Sequence, residues 1–165
     1  MLILLDSADL IALRAIIPGH PIDGVTTNPT IISRACSVKS EIPELLRQIR
    51  SLIDSSGMLH IQVTTATVDG IVAEAETIKE QFGRDVYIKI PVTPEGIKAM
   101  AILAQQGTRI TATAVFTPQQ ALVAAKAGAD FVAPYVNRLD DLVVDGSRVV
   151  REIKQIFTEY SLKTR

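Results

Sequence analysis

The chain has 165 residues, a formal net charge of −1 and 47% hydrophobic residues, which describes one soluble globular domain with enough length for a real core. The near-balanced charge and an aromatic content of 4% leave no electrostatic case for nucleic acid or an anionic membrane as a partner. Cys36 is the single cysteine, so a disulfide framework or a cysteine-based metal site within one chain is excluded, and a reducing compartment fits.

The opening run Met1 to Leu5 is apolar but stops at Asp6 and carries no basic segment, so it reads as a strand (Leu2 to Leu5) rather than a signal peptide. No apolar stretch approaches the roughly 18 residues of a membrane-spanning helix, and a cytoplasmic location is expected. Asp6, Ser7 and Asp9 open a helix carrying Leu10, Leu13 and Ala15. Gly24-Val25 is a very short second strand. Asn28-Pro29 then starts a helix, with asparagine as the cap and proline at the first helical position. Ile42, Leu45, Leu46, Ile49, Leu52 and Ile53, spaced by three and four, give the next helix one apolar face.

Leu59 to Val63 is the third strand, and Thr67 caps a helix that buries Ile71, Val72, Ala75 and Ile78. Val86 to Ile90 is the fourth. Thr93-Pro94 begins a helix that passes through Met100 and Leu103 and stops near Gly107. Arg109 to Thr113 is the fifth strand, followed by a helix from Thr117-Pro118 with Gln120 placed for a capping box and an end near Gly128. Ala129 to Pro134 is the sixth strand. Ser147 to Phe157 is the last helix, with Val149, Val150, Ile153 and Ile156 turned inward. Strands that alternate with helices at about 20–30 residues per unit imply parallel strands. No linker or low-complexity segment divides residues 1–165, which therefore read as a single domain.

Lys89 stands in the apolar run Val86-Tyr87-Ile88-Lys89-Ile90-Pro91-Val92. A buried and charged lysine there costs several kcal/mol, on the order of 2–7 for an unsatisfied polar group. Burial disfavours the ammonium, and a neutral amine is what Schiff-base chemistry needs. The plainer alternative is a stem that packs while its head reaches water. Five other residues argue against it. Asp6, Asn28, Gln62, Lys89, Thr113 and Tyr135 fall at or just beyond the C-terminal ends of the six strands in turn. In a (β/α)8 TIM barrel those ends form one ring, where the active site sits. Alternation puts Lys89 on one face with Tyr87, Gln62 with His60, and Thr113 with Thr111.

Each of these residues has a structural reading as well. Asp6 and Asn28 suit helix caps, Thr113 suits any strand, and Tyr135 can fill an interior with its hydroxyl at water. Gln62 is harder to dismiss, because a buried amide must find partners or lose about 1–3 kcal/mol. His20 lies in a Pro-Gly loop and His60 begins a strand. With no acidic cluster beside either, a metal site is not expected. No phosphate-loop or dinucleotide motif is present.

The segments Leu5-Asp6, GVTTNPTI at 24–31, YIKIPVT at 87–93, TATAV at 111–115 and APYVNR at 133–138 together resemble the small transaldolase family over the whole chain. Gln62 and Tyr135 stand where transaldolases usually carry glutamate and phenylalanine, and with Ala114-Val115 they resemble the fructose-6-phosphate aldolase branch. The resemblance implies a Schiff-base enzyme without cofactor or metal, acting on sugar phosphates in a homo-oligomer. Its activity would be formation or cleavage of fructose 6-phosphate from dihydroxyacetone and glyceraldehyde 3-phosphate, or else transfer of a dihydroxyacetone unit between sugar phosphates.

The same resemblance makes Lys89 the Schiff-base lysine. Asp6 assists proton transfer beside it, and Asn28, Thr26 and Thr27 bind donor hydroxyls. Gln62, Thr113 and Tyr135 hold a proton-shuttling water, and Arg138 binds the acceptor phosphate. A surface ion pair with Asp140 or Asp141 is the alternative for Arg138. A complete barrel has eight units and about 200 residues or more, whereas six units are read here. The expectation is a shortened barrel with exposed edges, as a truncated gene, a fragment or a chain completed by association. In that form a role confined to binding or assembly stands beside the catalytic one.

Overall fold

Proline after a short polar residue sets where three of the helices begin. Asn28 accepts a hydrogen bond from the Ile31 amide at 3.0 Å, Thr93 from the Gly96 amide at 3.0 Å and Thr117 from the Gln120 amide at 3.2 Å. Proline follows each at a position whose amide would have no helical partner. Gln120 completes a capping box by accepting from the Thr117 amide at 3.1 Å, and it also accepts from the Phe116 amide at 2.8 Å.

The computed structural model describes residues 1–53, 56–141 and 145–165. Its strands are β1 (Leu4–Asp6), β2 (Gly24–Thr26), β3 (Met58–Gln62), β4 (Tyr87–Pro91), β5 (Arg109–Val115) and β6 (Phe131–Pro134). They form one sheet in the order β1-β2-β3-β4-β5-β6. The helices are α1 (Leu10–Ile16), α2 (Pro29–Ala35), α3 (Ile42–Leu52), α4 (Val68–Phe82), α5 (Pro94–Gln105), α6 (Pro118–Lys126), α7 (Val136–Asp141) and α8 (Gly146–Glu159). Sequential strands joined through helices are the construction of a (β/α)8 TIM-type barrel, of which the described residues supply six units. Among the described residues no helix is long and apolar enough to cross a membrane.

The chain divides into two compact units. The first comprises residues 1–64 and 75–88. Here β1 pairs in parallel with β2, Asp6 opposite Thr26, and β2 with β3, Thr26 opposite His60. Leu13, Val25, Ile49, Leu59, Ile61, Ala75, Val86 and Ile88 fill its core. Asp9, not Asp6, caps α1, accepting from the amides of Ile11 and Ala12. Ala15 is exposed and Val72 only half-buried, so the apolar stripes of α1 and α4 are narrower than the sequence suggests.

The second unit comprises residues 65–74 and 89–165. Its core holds Ile90, Met100, Leu103, Ile110, Ala112, Val115, Ala121 and Ala124, with Val149, Ile153 and Phe157 from α8. Val150, expected inward, is 40% exposed, and Phe157 is buried on the inner stripe with Val149 and Ile153. β5 runs two residues beyond its expected end and carries an irregularity. Ala112 pairs with Val132 and Val115 with Pro134, so three steps on β5 match two on β6. The extra residue goes with Ala114, whose φ is 57°, a left-handed conformation that costs an alanine about 1–2 kcal/mol. The chain end lies along β6, where Arg165 accepts from the Val132 amide and donates to the Asp130 carbonyl.

Candidate active site

In the first unit the strand ends carry Asp6, Thr26, Thr27, Asn28 and Gln62. Asp6 closes β1, is exposed, and lies opposite Thr26 in the ladder. Since Asp9 takes the cap of α1, Asp6 is not committed to capping. Thr27 is fully buried: its hydroxyl donates to the His60 carbonyl at 3.0 Å, and its amide bonds the same oxygen at 3.0 Å. That ties the β2 end to β3 and commits Thr27 to structure. Asn28 serves as helix cap through Oδ1, with its amide nitrogen left over for other work. Gln62 closes β3, half-buried, with Oε1 buried and without a hydrogen-bond partner. A buried amide oxygen in that state loses the stabilisation that a donor on a bound molecule would restore.

In the second unit Lys89 lies within β4 and is 4% exposed, with Ile90 beside it at 0%. Thr113, 1% exposed, follows Thr111, 4% exposed, on the same face of β5. The Thr113 carbonyl accepts from the Val92 amide at 2.9 Å, which fixes the end of β5 against the end of β4. Tyr135 follows β6, its amide donating to the Val115 carbonyl at 3.0 Å. Phe116 meets the Tyr135 ring edge-on with centroids 5.4 Å apart, and the Arg138 guanidinium lies 4.9 Å from the centre of that ring. Arg138 is exposed and Tyr135 half-buried. Asp140, the alternative partner considered for Arg138, accepts instead from the Gly146 amide at 3.0 Å.

Neither unit holds, among the described residues, a cluster of three or more histidine, cysteine or carboxylate groups arranged for a metal. The strand ends present an amine in Lys89, a phenol in Tyr135, hydroxyls in Thr26, Thr27 and Thr113, amides in Asn28 and Gln62 and a carboxylate in Asp6.

The sequence profile of the family described as Transaldolase/Fructose-6-phosphate aldolase matches residues 3–165. The chain belongs to that family. A probable transaldolase of Thermoplasma volcanium is 41% identical over 165 residues, covering all of this chain and 73% of the relative. A probable fructose-6-phosphate aldolase of Streptococcus pneumoniae is 43% identical over 133 residues, 81% of this chain and 59% of the relative. The crystal structure of 2,3-dimethylmalate lyase, a PEP mutase/isocitrate lyase superfamily member, superposes with a TM-score of 0.57 at 12% identity, over 79% of this chain and 57% of that one. At that identity the likeness concerns the fold alone.

Two features of this family member went unread in its sequence. His60 is not simply the start of a strand: it is 1% exposed and stacked on Tyr87. The signal was available, since His60 and Tyr87 each precede a candidate residue by two on the same strand face. Phe116 and the bulge at Ala114 are the second feature, and alanine gives no sequence signal for a left-handed residue.

Proposed function

We propose that this chain acts as a class I aldolase, making and cleaving fructose 6-phosphate from dihydroxyacetone and glyceraldehyde 3-phosphate, with residues 1–165 working as one domain. The observation that carries the reading is Lys89, a lysine 4% exposed within a strand otherwise made of apolar residues and tyrosine. That burial sets the amine apart from bulk water on a strand end, and an amine is the nucleophile that Schiff-base chemistry needs.

In the proposed mechanism the Lys89 amine attacks the ketone carbon of the substrate, and loss of water leaves an iminium. Cleavage of the bond between the carbon next to the iminium and the hydroxyl-bearing carbon beyond it sends its electron pair toward that iminium, giving an enamine and releasing the aldehyde. The proton removed from the hydroxyl of the departing aldehyde goes to a base, and protonation of the enamine followed by hydrolysis frees dihydroxyacetone. Covalent catalysis thus divides one hard step into easier ones, with the iminium as electron sink.

Tyr135 is the proposed acid and base, working through a water held with Gln62 and Thr113, and such proton transfer contributes about 10²–10⁴ in rate. The unpartnered Gln62 oxygen supports that role, since a water would satisfy it. Asp6 assists proton transfer at the amine, and Asn28 and Thr26 bind donor hydroxyls. Thr27, bonded to the His60 carbonyl, holds the end of β2 that carries them to β3. Arg138 is exposed and suits the acceptor phosphate through paired hydrogen bonds.

Transaldolase is the second reading, favoured by the name of the Thermoplasma volcanium relative, which matches the whole chain. Gln62 and Tyr135, in place of the glutamate and phenylalanine usual in transaldolases, favour the aldolase. The test is borohydride trapping with dihydroxyacetone, followed by peptide mapping. An adduct on Lys89, absent from a folded Lys89→Met variant, is expected; no adduct, or one on another lysine, would end the enzymatic reading and leave a binding or assembly role. Transfer from a ketose phosphate to erythrose 4-phosphate, with no use of free dihydroxyacetone, would select transaldolase.

A further inference from the structure

The β5 bulge is where the backbone departs from regular geometry beside the proposed proton-handling groups. Without an extra residue, strict alternation would put Val115 on the face of Thr111 and Thr113. The register shows otherwise: Ala112 and Val115 pair with Val132 and Pro134, two residues apart on β6, so both return to one face, and both are fully buried. Ala114 takes up the difference at φ 57° and is half-buried.

The consequences run in both directions along the chain. Before the bulge, Thr113 stays on the face of Thr111, 1% exposed, its carbonyl fixed by the Val92 amide. After the bulge, the Val115 carbonyl accepts from the Tyr135 amide, and Phe116 arrives with its ring edge against the Tyr135 ring. Gln120 holds Phe116 in turn by accepting from its amide at 2.8 Å. One strained residue therefore stands between two side chains that the aldolase reading requires to share a water.

We infer that the left-handed bulge at Ala114 is a positioning device for the reaction, setting the Thr113 hydroxyl and, through Phe116, the Tyr135 ring. The inference rests on the aldolase reading above. Alanine's methyl group makes the left-handed conformation costly, and glycine adopts it freely. A β-branched side chain strongly resists it. Glycine at 114 therefore keeps the bulge and valine works against it. Phe116 acts on the reacting atoms only through Tyr135 and is a positioning residue. Tyrosine there keeps the ring contact, and leucine loses it.

The experiment measures kcat and KM for fructose 6-phosphate cleavage in the full chain, beside borohydride trapping at Lys89. Ala114→Gly is expected to hold kcat within about twofold of the parent. Ala114→Val is expected to lower kcat about tenfold or more, since small misplacements of catalytic groups cost up to about 10² in rate, with KM within about twofold. Phe116→Leu is expected to lower kcat about fivefold and move the alkaline limb of the kcat–pH profile, while Phe116→Tyr restores both. Trapping at Lys89 should persist in every variant, because none touches the amine.

Parent-like turnover in Ala114→Val, with Lys89 still trapped, would overturn the bulge as a positioning device and leave the aldolase reading intact. Should Ala114→Val fail to fold, parent-like kcat and pH profile in Phe116→Leu would overturn it equally. Absence of any Lys89 adduct in the parent would remove both the reading and the inference.

Discussion

The His60 imidazole and the Tyr87 ring lie stacked, with centroids 4.5 Å apart and planes 10° from parallel. Both are buried, at 1% and 7% exposure. Gln62 stands two residues after His60 and Lys89 two after Tyr87, so strand alternation places each proposed reactive side chain on the face of a stacked ring. Within the first unit the pair joins β3 to the start of β4. Replacing His60 with alanine removes the stack and leaves a hole, and is expected to lower the unfolding free energy by about 2–4 kcal/mol. His60→Phe keeps a ring of similar size and should cost less than about 1.5 kcal/mol. Urea unfolding of both variants checks this; equal losses would mean that the stack contributes nothing of its own.

Arg50 joins α3 to the turn before β4. It donates to Asp85 at 2.5 Å and to the Gly57 carbonyl at 2.9 Å. The Asp85 side chain is 39% exposed, so solvent screens the pair, and removing that carboxylate as Asp85→Asn should cost under about 1 kcal/mol. Arg50→Met should cost more, about 1–3 kcal/mol, because it also leaves the Gly57 carbonyl without its guanidinium donor. The ranking is the test: denaturation midpoints showing Asp85→Asn as the more damaging change would refute the division of labour.

What could be read from the sequence was local chemistry and period. The caps at Asn28, Thr93 and Thr117 each rest on a side chain bonding an amide three residues on, an arrangement encoded within four residues. Burial of Lys89 followed from its flanking residues. What depended on partners far along the chain was not legible. Asp6 and Asp9 are equally good caps by residue type, and only the geometry of the turn after β1 selects Asp9. Leu2 and Ile3 look like strand, but the ladder with β2 begins at Leu4 and both are exposed. α7 has six residues and no apolar period to announce it. The Ala114 bulge exists because β5 must match a shorter step on β6, which no reading of β5 alone reveals.

Gly24 and Gly19 separate space from conformation. A Cβ on Gly24 would overlap the Met58 backbone carbonyl of the neighbouring strand, which cannot turn aside as a side chain could. Gly24→Ala is expected to destabilise by about 3 kcal/mol or more, near the upper end for overpacking. A Cβ on Gly19 meets nothing within 4 Å. Gly19→Ala should be neutral or stabilise by about 0.5 kcal/mol, through reduced freedom of the unfolded chain. Thermal melts of the two variants should therefore move apart, and a Gly24→Ala protein melting with the parent would show that β2 and β3 do not approach this closely.

The start of α8 gives a pH dependence with a defined sign. Asp145 caps that helix, accepting from the Ser147 hydroxyl at 2.6 Å, the Arg148 amide at 3.0 Å and the Arg151 guanidinium at 3.3 Å. The Ser147 hydroxyl first, then the Arg148 amide, hold the carboxyl below its ordinary value of 3.8, with the Arg151 charge adding to them. A group whose folded value is depressed stabilises the fold above its unfolded value, and that contribution is lost as pH falls through the folded one. Asp145 therefore contributes in full well above 3.8 and progressively less as acid is added below it. Asp145→Ala should lower the melting temperature at pH 7 and bring its loss relative to the parent toward zero near pH 2. Because the carboxylate is exposed, added salt should shrink the Arg151 part of the difference and leave the hydrogen-bonded cap largely intact. Melting curves across pH 2–7 decide it: a difference between parent and variant that stays constant with pH would show that the ionised carboxylate contributes nothing to this cap.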